Sequence, residues 1–314
     1  MHRVPLLVIG SSNTDMTVHL PALPSPGQTV LGGSLLRGPG GKGANQAVAA
    51  ARAGGDVTFI TAIGDDPFGR ESLDAHHREG IDVSHTRIFD SASSGVALIF
   101  LDAAGENMIG VAPGANSLLT PAHIKELPDH LFHSHRLLLL AGLELPLDAV
   151  LAAAERGKSS GMQVVLNPAP FLETLPNSPL LSLIDVLTPN RIELAQLTGI
   201  NTATHRGAHH AAVTLTKNLP ALSVVVTLGG RGSLVLDKIG ESSLIPARSV
   251  RAVDTVGAGD AFNGALAVAL AEGLSLCESA RWATNAAALA VSAPGAQSSL
   301  PLRPDIDRLA ASPS

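Results

Sequence analysis

The chemistry that can be read directly from this chain concentrates in Asp254-Thr255-Val256-Gly257-Ala258-Gly259-Asp260-Ala261-Phe262. The Gly240–Val253 segment before it reads as extended and rich in turns, and Phe262 to Glu272 is an Ala- and Leu-rich helix pattern without internal proline. At that junction glycines leave backbone N–H groups open to a ligand, and the helix start favours an anion. Asp260 falls at or near the first turn, an awkward neighbour for a phosphate. A carboxylate beside an anion hole suits a base: it takes a proton from an attacking hydroxyl while the N–H groups stabilise phosphoryl charge. Asp260 could equally be a helix cap, a common use of Asp, and this window alone does not separate the two.

A second glycine-rich stretch is Gly38-Pro39-Gly40-Gly41-Lys42-Gly43-Ala44-Asn45-Gln46. Gly38, Gly40 and Gly43 satisfy G-x-G-x-x-G, and Asp65 follows an expected strand Val57–Ile63, so a nicotinamide dinucleotide is one candidate ligand. Against it, the stretch does not follow the first core strand, and Lys42 and Asn45 add hydrogen-bonding side chains that a pyrophosphate turn does not need. Nor is it a Walker A loop, because Leu36 stands where the first glycine belongs and Gly43 follows the lysine. Among the histidines, His130, His133 and His135 raise a metal site, although a solvated turn suits their spacing better. His76-His77 and His209-His210 fall in helical patterns and are expected to face solvent.

These groups need a scaffold, and the chain supplies an alternating one. Leu6–Gly10 is a buried-strand pattern that ends in Ser11-Ser12-Asn13-Thr14-Asp15. Thr17–Leu36 consists of extended pieces broken by prolines and glycines, and Gly95–Leu101 with Asn107–Val111 reads as a hairpin, so a small β appendage is expected. Strands Leu137–Leu140, Gln163–Leu166, Ile184–Leu187 and Ser223–Leu228 alternate with helices Leu147–Arg156 and Glu193–Thr198. That rhythm predicts an α/β fold with a doubly wound, mainly parallel sheet, helices on both faces and ligands along its C-terminal edge. Asn13, Asp15, Glu144, Asn167, Asn190 and Thr227 all fall near strand ends. With 314 residues, 45% hydrophobic and 15% charged, the chain can bury a large core, and a net charge of −6 argues against nucleic acid as a partner. The single cysteine, Cys277, and the lack of an expected signal peptide or membrane span point to a cytoplasmic protein.

Six windows in order resemble the ribokinase branch of the PfkB carbohydrate kinase family, from about Leu6 to Pro301: Asn13-x-Asp15, Gly40–Ala47, Asn167–Pro170, Thr188–Glu193, Thr227–Gly232 and Asp254–Phe262. The resemblance displaces the dinucleotide assignment. It implies one ribokinase-like domain over 1–314 with β lid segments at 14–37 and 95–111, and a homodimer formed through that lid. It implies that Asn13, Asp15, Gly41, Lys42 and Asn45 hold sugar hydroxyls, aided by Glu144. Gly257, Ala258 and Gly259 would be the anion hole and Asp260 the base for the terminal hydroxyl. Asn190 and the turn Thr227-Leu228-Gly229-Gly230-Arg231-Gly232 would bind ATP, with Gly259 at its phosphates and Thr284, or the neighbouring Asn285, toward adenine. Asn190 with Glu193 would help order Mg2+. Asp254, carbonyls near Val256, Ala290, Ala293 and Gly295, and the Ser299 hydroxyl would coordinate a monovalent cation, K+. The implied reaction is transfer of a phosphoryl group from ATP to the 5-hydroxyl of ribose. Kinases of 2-deoxyribose, another sugar or a nucleoside stay open, and so does a non-catalytic sugar-binding protein, against which the intact Gly257, Gly259 and Asp260 speak.

Overall fold

Strand β1 (Val4–Gly10) is apolar on both faces and lies inside the main sheet, where helices cover it from both sides. The computed structural model describes residues 3–133 and 135–312. After β1 the chain leaves the sheet through β2 (Asn13–His19) and β3 (Leu35–Gly40), then re-enters along α1 (Lys42–Arg52) and β4 (Gly55–Ile60). Next come β5 (Ala62–Gly64), α2 (Pro67–Arg78), β6 (Arg87–Phe89) and the hairpin of β7 (Gly95–Leu101) and β8 (Asn107–Ala112). The short α3 (Pro121–Glu126) leads to β9 (Leu137–Ala141), α4 (Leu147–Ser159), β10 (Gln163–Asn167), β11 (Val186–Leu187), α5 (Arg191–Thr198), α6 (His205–Thr216) and β12 (Ser223–Thr227). Two antiparallel strands, β13 (Ser233–Leu236) and β14 (Ser242–Ile245), precede α7 (Ala258–Ala271), α8 (Leu276–Ala290) and α9 (Arg303–Ala311).

The main sheet has the order β14-β13-β12-β11-β10-β9-β1-β4, parallel from β12 to β4. This is the expected doubly wound, mainly parallel sheet. Leu6 and Val8 of β1 join a core with α1, α7 and α8, whereas Leu7 and Ile9 join one with α4, α5 and α6. From β1 the chain goes first to β4 on one side and later to β9 on the other. The C-terminal ends of β1 and β9 therefore flank a topological switch point, the place where open α/β sheets bind ligands. A separate sheet of order β3-β2-β7-β8 stands over that end, since β2 follows β1 after two residues.

Two expectations are corrected. The single strand Val57–Ile63 is split at Thr61: β4 stays with β1, while β5 turns away to pair with β6, the Thr61 carbonyl accepting from Arg87 N. His76 does not face solvent. It lies one helical turn after Ser72 on the inner face of α2, stacks on Phe59 at 5.2 Å between ring centroids and is buried. Burial pushes its imidazole pKa down. Among the described residues no group of three or more His, Cys, Asp or Glu is arranged to hold a metal ion, which removes the His130, His133 and His135 cluster as a site.

Candidate active site

The loop after β1 and the start of α1 are fitted together closely. A Cβ on Gly43 would lie 2.3 Å from Ser11 N, and one on Gly40 would lie 2.0 Å from the Asp15 carboxylate carbon. Gly40 and Gly43 thus make room for protein atoms, not for a pyrophosphate, which explains the false dinucleotide pattern. Gly41 has φ 88°, open to glycine at little cost, and it presents Lys42 as the first residue of α1. Lys42 N donates to Glu144 Oε2 at 3.1 Å, and the Ser11 hydroxyl donates to the same oxygen. Glu144, three residues past β9, is thereby drawn to the switch point.

Asn13 and Asp15 lie on β2 at the base of the small sheet. Asn13 Oδ1 accepts from Asn116 Nδ2 at 2.9 Å, and Asn116 Oδ1 accepts from Ser12 N at 3.0 Å. The Asn13 oxygen is taken, so its NH2 is the end left to donate to a ligand. The Asp15 carboxyl is pushed up to about 6 by burial first, then by the Glu144 and Asp260 charges, while Lys42 opposes them. Three carboxylates and one ammonium converge here, a donor and acceptor set suited to a small polyol.

Asp260 is the third residue of α7, whose N-cap is Gly257 at φ 78°. Its oxygens do not cap its own helix. Asn45 Nδ2 donates to Oδ2 and Gln46 Nε2 to Oδ1, both at 3.0 Å and both from α1. The side chain is half-buried by surface yet crowded by protein on most sides. Burial raises its carboxyl pKa; Lys42 and the bonds from Asn45 and Gln46 pull it back down, and Glu144 adds a smaller upward push. A carboxylate of raised pKa at a helix start, held by donors from another helix, has the tuning of a general base. Asn263 Nδ2 donates to the Gly259 carbonyl at 2.8 Å and braces the same turn.

Farther along the strand edge, Asn190 caps α5 in a reciprocal capping box. Its Oδ1 accepts from Glu193 N at 2.9 Å, and Asn190 N donates to Glu193 Oε2 at 2.8 Å. Burial raises the Glu193 carboxyl pKa, with Asn190 and then Lys42 opposing. Lys42 therefore acts on Asp15, Asp260 and Glu193 together and stands electrically between the two halves of the cleft. Thr227 bridges to Asn190, and the turn Gly229–Arg231 is closed by Gly232 N donating to the Gly229 carbonyl at 2.9 Å. Arg231 donates to the Ala203 carbonyl at 2.9 Å. Thr284 points inward: its hydroxyl donates to the Ala280 carbonyl at 2.8 Å, and neighbouring Asn285 accepts from Arg248. Asp254 is joined to the stretch after α8, with Oδ2 accepting from Gly295 N at 2.9 Å and Oδ1 from Val256 N at 3.0 Å. The Ser299 hydroxyl donates to Ala296 O, and Arg52 holds that stretch against α1 through the Gln297 carbonyl at 2.7 Å.

The sequence profile of "pfkB family carbohydrate kinase" matches residues 5–303. The chain belongs to the PfkB family. Ribokinase of Haemophilus influenzae is 41% identical over 301 residues, covering 96% of each chain. Deoxyribokinase of Salmonella typhi is 37% identical over 297 residues, 94% of this chain and 95% of that one. Arabidopsis thaliana ribokinase, solved with ribose and ATP, superimposes with a TM-score of 0.87 at 30% identity, covering 99% and 100% of the two chains. This PfkB protein is accordingly a carbohydrate kinase, a phosphotransferase. Its cleft brings together Asn13, Asp15, Gly41, Lys42, Asn45, Glu144 and Asp260 around one point. It leaves Thr284 turned away from open space. Sequence reasoning passed over Ser11, Gln46 and Asn116. Gln46 stood inside the glycine-rich window, but nothing in a linear pattern says that its amide returns to Asp260.

Proposed function

We propose that this kinase transfers the γ-phosphoryl group of ATP to the 5-hydroxyl of ribose. The observation that carries it is the placement of Asp260 in the first turn of α7, beside the sugar-side carboxylates and bonded from α1 and not to its own helix. Asn13, Asp15, Lys42, Asn45 and Glu144 bind and orient the sugar hydroxyls. Asp260 accepts the proton of the terminal hydroxyl as its oxygen attacks, and the N–H groups of Gly257, Ala258 and Gly259 stabilise charge on the phosphoryl group in transit. Asn190 and the Thr227–Gly232 turn hold the nucleotide phosphates. The donor set suits hard cations: Mg2+ ordered by Asn190 and Glu193 would neutralise phosphate charge, and K+ at Asp254, the carbonyls of Val256, Ala290, Ala293 and Gly295, and Ser299 would add positive potential beside the anion hole. Replacing potassium by sodium at fixed magnesium and ionic strength tests the second ion.

The small sheet acts as a lid that excludes water from the bound sugar, and its exposed face joins two copies. No helix among the described residues is long and apolar enough to cross a membrane, and with Cys277 as a free thiol we place the protein in the cytoplasm. Asp260→Asn tests the mechanism. kcat should fall by about a hundredfold or more, the loss expected for a missing general base, with ribose and ATP affinities nearly unchanged by calorimetry. Near-normal turnover would return Asp260 to a structural role.

A further inference from the structure

Behind Asp260 lie polar side chains where an α/β core ordinarily places apolar ones. Gln46 is fully buried, and its Nε2 donates to both Asp260 Oδ1 and Asn167 Oδ1, each at 3.0 Å. Asn167 Nδ2 donates to the Thr188 carbonyl at 3.1 Å, and the Thr188 hydroxyl donates to Asn263 Oδ1. Asn263 Nδ2 returns to the Gly259 carbonyl at 2.8 Å, next to Asp260 in the chain. The bonds close a ring beneath the first turn of α7, with members from α1, the ends of β10 and β11, and α7 itself. Gln46, Asn167, Thr188 and Asn263 are all buried.

Chemistry fixes which way the Gln46 amide points. Turned over, its carbonyl would face two acceptor oxygens. As it stands, Oε1 is buried without a partner, a rare state in a core. The fold also makes room for this contact. A Cβ on Gly264 of α7 would lie 2.5 Å from Ala49 Cβ and 2.8 Å from the Gln46 carbonyl, so only a glycine there lets α7 approach α1 this closely.

We propose that Gln46 is a positioning residue for phosphoryl transfer: it locks the Asp260 carboxylate in one orientation and ties the base to the turn that forms the anion hole. This rests on Asp260 being the base. Asn45 holds one oxygen and Gln46 the other, so the carboxylate cannot rotate, while each oxygen keeps a lone pair for the sugar hydroxyl. Both bonds also favour the charged form, opposing the effect of burial.

Gln46→Met keeps the side chain's length and removes its donors. We expect kcat to fall about tenfold to a hundredfold, as misplacement of a reacting group does. The KM values for ribose and ATP should stay within about threefold, and the acid limb of the kcat–pH profile should move up by about one unit as a bond to the charged form is lost. A glutamine that only supports the fold would lower the melting temperature and leave that limb in place. Asp260→Asn is measured alongside. If it is inactive while Gln46→Met keeps wild-type kcat and acid limb, the positioning role is wrong and the base stands. If Asp260→Asn turns over normally, the base assignment fails, and this proposal with it. Should Gln46→Met not fold, Asn167→Leu removes the acceptor that aims the amide. The same upward shift then supports the proposal, and an unmoved limb overturns it.

Discussion

At the scale of single residues the cleft trades stability for binding. Asp15 is held near 6 because burial and two neighbouring carboxylates disfavour its charge. A folded-state value above the unfolded one means that the empty protein gains most from this group at low pH. That contribution is lost as pH rises from the ordinary carboxylate range through about 6. Sugar binding runs the other way, since the ionised form accepts hydroxyl protons at both oxygens and more strongly than the neutral acid does. We therefore expect the KM for ribose to fall as pH rises through about 6, and Asp15→Asn to weaken ribose binding by about tenfold to a hundredfold, as for a lost bond to a charged acceptor. The same variant should melt at a higher temperature than wild type at pH above that value. Calorimetric titration of ribose and thermal unfolding across pH check both, and a pH-independent KM would contradict the role given to Asp15. Asn13 and Asp15 were visible in the sequence as polar residues after a buried strand. Asn116, which takes the Asn13 oxygen from 103 positions away in the chain, was not, because such a bond exists only once the topology has formed.

At the scale of elements, strands and helices of the main sheet were legible from periodicity, with some ends off by two to four residues. Ile184–Leu187 is strand only over Val186–Leu187, and the helix read from Leu147 to Arg156 runs on to Ser159. The Val57–Ile63 run misled because its unbroken β-forming character cannot report a change of partner at Thr61. His76 misled because one polar residue on the inner face of an amphipathic helix looks like any other polar residue. The small sheet was read as a hairpin plus extended pieces over Thr17–Leu36; the hairpin holds, whereas 20–34 contains no strand and β2 and β3 reach beyond that stretch at both ends. Its edge strand also has a feature that patterning missed. All six residues of β8 are exposed, Met108, Ile109 and Val111 included, so neither face of that strand is covered within one chain. An uncovered apolar edge strand invites pairing or aggregation, and a second copy of this chain is the partner we propose for it. The double substitution Met108→Asp with Ile109→Asp should raise the dimer dissociation constant at least about tenfold. Sedimentation velocity reads it, and an unchanged dimer would move the interface elsewhere.

At the scale of the whole molecule, the switch point between β1 and β9 decides what the chain can do. It gathers Ser11, Lys42 and Glu144 from three separate stretches, and α7 sets its N-terminal turn beside them through contact with α1. The strand ends at Asn190 and Thr227 continue that edge, where we propose the nucleotide lies, with Lys42 felt on both sides. What the chain as a whole must do is choose its sugar, and relatives of similar identity include a ribokinase and a deoxyribokinase. A site built to bond each hydroxyl leaves its own buried groups unpaired when one hydroxyl is missing. The most direct measurement is ADP release from ATP across ribose, 2-deoxyribose, fructose and adenosine. Ribose should give the highest kcat/KM, by about tenfold or more over 2-deoxyribose, the scale of one lost bond in a desolvated site. Adenosine or fructose in first place would contradict ribose as the substrate while leaving the kinase fold and family untouched.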